Sequence, residues 1–200
     1  MDKLFNAGKE FLQEQSNNDN RNESGNNNKP QGGAGGLLSS FGVDSSFLNN
    51  ATSEASKRAG SSGDADMFSS IVSAIGGKEH KLAQEDIDEE DAVKNHKQEY
   101  KEGGNKEADE NSMGTAAAVQ ALKLWNQGEA GDKQDKGSFL GLAMSEASKL
   151  FDAKAANGDV KSGTDKQSVI QQAGEVAMKL FLKSQGQQSG GLAGLAAKFL

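Results

Sequence analysis

The chain has 200 residues, 34% of them apolar and 26% charged, with no cysteine and a net charge of −7. The missing cysteine excludes a disulfide scaffold, an iron–sulfur site, a Cys-ligated zinc and a thiol nucleophile. Scattered lysines in an acidic chain make a poor nucleic-acid binder, and no apolar run reaches the ~18 residues of a membrane span.

Residues 1–15 are expected to form a short amphipathic helix, with Leu4, Phe5, Gly8, Phe11 and Leu12 on one face. The polar face balances Lys3 and Lys9 against Asp2 and Glu10, which favours docking to a protein partner over membrane binding. Leu4, Phe5, Phe11 and Leu12 are therefore the candidate docking residues. Residues 16–36 hold Asn, Gln, Gly, Ser and the single proline, Pro30. They bury too little to offset their ordering entropy and are expected to be a disordered linker.

Residues 37–63 read as a weakly helical lead-in, with Phe41, Phe47, Leu48, Ala51 and Ala55 suggesting a helix that ends near Gly60. The helical domain is placed at 64–200. Asp66 is expected to cap a helix over Met67–Ile75, stopped by Gly76 and Gly77, with one more turn over Lys78–Gln84. The run Asp86–Asp91 opens the next helix, which extends to about Lys101, with Asp86 as cap and Glu89 as its box partner. Ala92, Val93, His96 and Tyr100 share a face of it. After a charged linker over Glu102–Asn111, helical periodicity covers Ser112–Gln127, Ser138–Ala156, Asp165–Ser184 and Leu192–Leu200.

Three of these helices repeat Ala-x-Lys-Leu-aromatic, at Ala121–Trp125, Ala147–Phe151 and Ala177–Phe181. Ala permits close helix approach, the aromatic fills the helix end, and Lys is expected to point outward. Separately, Phe47–Lys57 matches Phe139–Lys149 at eight of eleven positions. The irregular spacing favours a compact bundle over a solenoid. The fold class is thus all-α, a bundle of short Ala-rich amphipathic helices behind a disordered N-terminal region.

Signals for chemistry are weak. His96 with Asp91 or Tyr100 suggests a metal or catalytic pair, but without a second matched His a half-buried structural histidine is the better account. His80, in Lys-Glu-His-Lys, reads as solvated. The acidic run lacks the glycine and final glutamate of a calcium loop. Gly131–Ser138 has Lys-Gly where a phosphate loop needs Gly-Lys, and Gly190–Gly194 is a glycine hinge. No cofactor, metal or catalytic residue is expected, and no enzyme activity.

The run Asp86–Val93 with His96 and Tyr100, then Gly114–Leu124, Phe139–Phe151, Gln171–Phe181 and Gly194–Leu200, resembles the fungal family labelled "beta-flanking protein". The resemblance covers roughly residues 64–200. It implies a small cytosolic or nuclear protein, with no catalytic residues to carry over and no strands implied by the label. The leading expectation is a non-enzymatic interaction or adaptor module with an unknown protein partner, no nucleic acid and no stable membrane insertion. A stress-protective, hydrophilin-like protein is the alternative, suggested by Gly and polar richness.

Overall fold

Aspartate starts five of the helices in the computed structural model, which describes residues 45–100, 106–129 and 135–186. In each, the carboxylate accepts the backbone N–H three residues on: Asp64 from Met67, Asp88 from Asp91, Asp109 from Ser112, Asp135 from Ser138 and Asp165 from Ser168. These bonds satisfy helix N–H groups that have no partner within the helix. Asp64 therefore replaces Asp66 as the expected cap, and Asp88 replaces Asp86. The sequence offers two aspartates two residues apart in both places, and the backbone at Asp64 is extended, as a cap requires.

The helices are α1 (Ser45–Ala59), α2 (Ala65–Gly76), α3 (Glu79–Leu82), α4 (Glu89–Tyr100), α5 (Glu110–Asn126), α6 (Lys136–Asn157) and α7 (Lys166–Gly186). A 3₁₀ turn over Gly60–Ser62 joins α1 to α2. The protein is all-α among its described residues, apart from one isolated bridge between Ala108 and Val160. That bridge ties the segment entering α5 to the loop before α7. At the end of α6, Gly158 takes φ +73, a left-handed cap conformation that a side chain would oppose. The expected N-terminal helix with Leu4, Phe5, Phe11 and Leu12, the 16–36 linker and the Leu192–Leu200 helix all lie outside the described residues.

Three long helices make the centre. Each carries an Ala-x₃-Ala-x₃-aromatic stripe: Ala117, Ala121 and Trp125 on α5, Ala143, Ala147 and Phe151 on α6, Ala173, Ala177 and Phe181 on α7. All six alanines are fully buried. Helices α5 and α7 run parallel, since Asn111 bonds Gln172 at one end and Trp125 and Phe181 both approach Phe139 at the other. Helix α6 runs against them and places Phe139 edge-on to Trp125, with ring centroids 5.2 Å apart. Of the lysines of the repeat, Lys149 is exposed as expected and pairs with Glu146 at 3.1 Å along its own helix, whereas Lys179 is held against the bundle by Glu85 at 2.6 Å.

Helix α1 lies along α6, and the two matched segments Phe47–Lys57 and Phe139–Lys149 thus sit on neighbouring helices. Phe47, Ala51, Ala55 and Ala59 are buried on its inner face. They meet a small-residue stripe on α6: Gly137 faces Phe47 O, Gly141 faces the backbone at Ala51 and Ala55, and Ser148 donates to Ser62 O. This order makes the two helices parallel. Residues 45–62, from the segment read as a lead-in, are joined to the bundle by contacts that need tiny side chains on both partners. Helix α2 inserts Phe68, Ile71, Val72 and Ile75 and crosses α7 where Gly174 leaves room for Ile75.

Candidate functional site

Helix α4 is seated differently from the others. It lies mainly on α5, and its buried residues are Ala92, Asn95, His96 and Glu99, so three of the four are polar. His96 Nε2 is 2.8 Å from Gln120 Oε1 on α5, and the ring stacks on Tyr100 at 5.3 Å. At the far end, Lys154 Nζ of α6 lies 2.6 Å from Glu99 Oε2, with both side chains almost wholly buried. The charges are matched by proximity, but neither Glu99 oxygen nor the Lys154 ammonium has a partner in hydrogen-bond geometry. The buried Tyr100 hydroxyl is also without one. Of six such orphaned side-chain atoms among the described residues, four belong to these three residues. Buried polar groups left without directed bonds weaken the seat they sit on.

Before α4, the acidic run lies across α7. Glu85 pairs with Lys179 at 2.6 Å and Glu89 with Lys183 at 3.3 Å, while Ile87 packs against the core between them. The run therefore opens α4 and complements the lysines of α7. A polar cleft of about 190 Å³ adjoins it, walled by Asp86, Asp88 and Asp91 on one side and by Asn111, Thr115 and Gln172 on the other. Asn111 Oδ1 accepts from Gln172 at 3.1 Å and from Thr115 at 3.3 Å, which fixes that wall. Asp88 and Asp91 serve the α4 terminus and Asn95. Among the described residues, no three His, Asp and Glu side chains converge as metal ligands.

Of the residues singled out by sequence, the structure brings His96 and Tyr100 together and gives His96 a helix-linking role. Asp91 instead faces Asn95 and the cleft. Lys136, the first residue of α6, is 2.5 Å from the buried Glu79 and 4.9 Å from the centre of the Phe47 ring. It ties α1, α3 and α6 together. Glu99, Lys154 and Gln120 escaped the sequence reading, because charged or amide residues on a helix are ordinarily assigned to solvent. The usable signal was the weak apolar face of α4, too poor to account for its place in the bundle.

Among the described residues, three carboxylates sit below their ordinary range. The hydrogen bond and charge of Lys179 lower Glu85. The Ser112 backbone N–H lowers Asp109, working against partial burial. At Glu175 burial pushes upward, but the hydrogen bonds from Lys78 and Gln171 outweigh it. A lowered folded pKa contributes stability that is complete above the unfolded value, about 4 for carboxyls, and is lost as pH falls through the folded value. The melting temperature should accordingly be flat above about pH 5 and fall below about pH 4. The triple variant E85Q/D109N/E175Q, melted across the same pH series, should show a smaller acid decline.

Burial, followed by the charges of Glu146 and Glu99, pushes the Tyr100 hydroxyl well above the ordinary phenol value. It is the chain's single tyrosine, so phenolate absorbance reports on it alone. We expect the signal to appear only together with alkaline loss of helical circular dichroism. A free titration near pH 10, with the helices intact, would show the hydroxyl to be solvated.

Comparison with known proteins gives a match to part of the chain. It is to a family described as "Domain of unknown function (DUF7721)". The match covers residues 48–130, from within α1 through α5. It includes the acidic run, α4 and their seat on α5, and leaves α6 and α7 outside. No curated protein and no solved structure matches the chain. No helix among the described residues is long and apolar enough to cross a membrane.

Proposed function

We propose that the protein is a non-enzymatic interaction or adaptor module of the cytoplasm and nucleus. In this reading it is one of the fungal proteins labelled "beta-flanking protein", and it neither spans membranes nor binds nucleic acid. The observation that carries it is the position of His96. The imidazole on which a catalytic alternative depends is buried, bonded to Gln120 and stacked on Tyr100, so it links α4 to α5 instead of facing a substrate cleft. The helical core supports an adaptor over a hydrophilin-like protectant, because a packed core predicts cooperative unfolding.

The docking element in this reading is the N-terminal segment, with Leu4, Phe5, Phe11 and Leu12 as its contact residues. Proximity labelling and co-purification should compare the full chain with one lacking residues 1–15. The expected result is loss of a defined set of partners at an unchanged melting temperature. An identical set of partners in the two samples would overturn the role given to that segment.

A further inference from the structure

We propose that residues 83–100, the acidic strap with α4, form a releasable flap, and that the lysine-edged face beneath it receives an acidic amphipathic helix of a partner protein in its place. The inference rests on the interaction reading above and supplies the chemistry of a partner.

Two features, which share Glu99, mark the flap as the part that leaves. Its buried face is polar at Asn95, His96 and Glu99, whereas α1 is held by close backbone contacts and α2 by Phe68, Ile71, Val72 and Ile75. The orphaned atoms of the described residues are also concentrated there, at Glu99, Tyr100 and Lys154. Its apolar anchors are Ala92, which is buried, and Ile87, Val93 and Tyr100, which are only partly buried, and an element held in this way opens at lower free energy than the global fold.

Charge defines the occupant. The flap is tied by Glu85 to Lys179, Glu89 to Lys183 and Glu99 to Lys154, every acid on the flap and every base on the bundle. Releasing it uncovers three ammonium groups beside the apolar side chains that Ile87, Ala92, Val93 and Tyr100 now pack against. Glu85 lies in the non-helical lead-in and Glu89 and Glu99 on α4, so an acidic segment that runs into an amphipathic helix, with acids at these three places, can answer all three lysines. A partner helix with an apolar residue where α4 has Asn95 would improve on the built-in occupant, which thereby sets a threshold for binding.

The test uses the full chain and a fluorescein-labelled peptide of residues 83–100 carrying Asn95→Leu. Hydrogen exchange should show α4 amides exchanging at least ~100-fold faster than the central turns of α5, α6 and α7. By anisotropy, the peptide should bind the E85Q/E89Q/E99Q chain about tenfold more tightly than the unaltered chain, because the competing flap is populated less. Binding should fall at least about tenfold in a K179E/K183E chain whose helical content and Trp125 emission are unchanged. A scrambled peptide of the same composition separates helix recognition from bulk charge, and serves as the control if that variant unfolds. Exchange of α4 only at the global rate, equal binding to weakened and unaltered chains, or equal binding of the scrambled peptide would each overturn the proposal. If the peptide fails while deletion of residues 1–15 still removes partners, the flap falls and the interaction reading stands. Peptide binding with an unchanged set of partners gives the reverse.

Discussion

Replacing Gly141 with alanine should destabilise the protein by about 2–3 kcal/mol, although helix propensity alone favours alanine by ~1 kcal/mol. A Cβ at Gly141 would lie 2.6 Å from Ala51 O, 2.8 Å from Glu54 Cβ and 2.9 Å from Ala55 N. Two of these atoms are α1 backbone, which cannot move aside as the end of a side chain can. The cost of forcing α1 off α6 therefore exceeds the propensity gain. Thermal and urea unfolding would measure it, with an expected drop in melting temperature of about 5–10 °C. Gly77→Ala is the control: its φ is −68 and the atom nearest the added carbon, Ala74 O of the preceding turn, is 3.6 Å away. That substitution should be neutral or stabilising by about 0.5 kcal/mol. A stable G141A protein would mean that α1 does not pack on α6 as described.

A fragment of residues 45–130, which slightly exceeds the family match, should fail to fold, whereas residues 45–186 should unfold cooperatively. The matched segment contains α1 through α5, yet α1 finds its main partner in α6, and α5 packs on both α6 and α7. Without these, the Phe47, Ala51 and Ala55 face and the Ala117, Ala121 and Trp125 stripe would both be open to water. Circular dichroism of the fragment should show little helix, and its Trp125 emission should be that of a solvated indole. Adding α6 and α7 should restore both signals. A cooperative transition in the shorter fragment would show that the family segment is a domain in its own right.

The periodicity of α5, α6 and α7 was legible because Ala, Leu, Val and Phe recur at three and four residues with little interruption. Their repeated alanines also pointed correctly to close packing, since all six stripe positions proved buried. The starts were less legible. Ser112 and Ser138 were read as helix openings, whereas each lies three residues inside the aspartate that caps it. Helix α1 was underrated because Ala51, Ala55 and Ala59 carry little hydrophobic signal, although each is buried by backbone proximity. The seat of α4 was the least legible part. Glu99 and Lys154 are 55 positions apart, and neither belongs to a motif that announces a buried pair. Only the fold brings them together.

Among the described residues, alanine supplies 13 of the 33 buried apolar ones, and this has a thermal consequence. Unfolding raises the heat capacity in proportion to the apolar area released, about 0.45 cal/mol/K per Å², and a methyl releases far less area than an isobutyl or benzyl group. The increment should thus fall below the ~12–15 cal/mol/K per residue usual for globular proteins. Its stability curve would be correspondingly shallow, with modest stability at its maximum and a slow decline toward cold as well as heat.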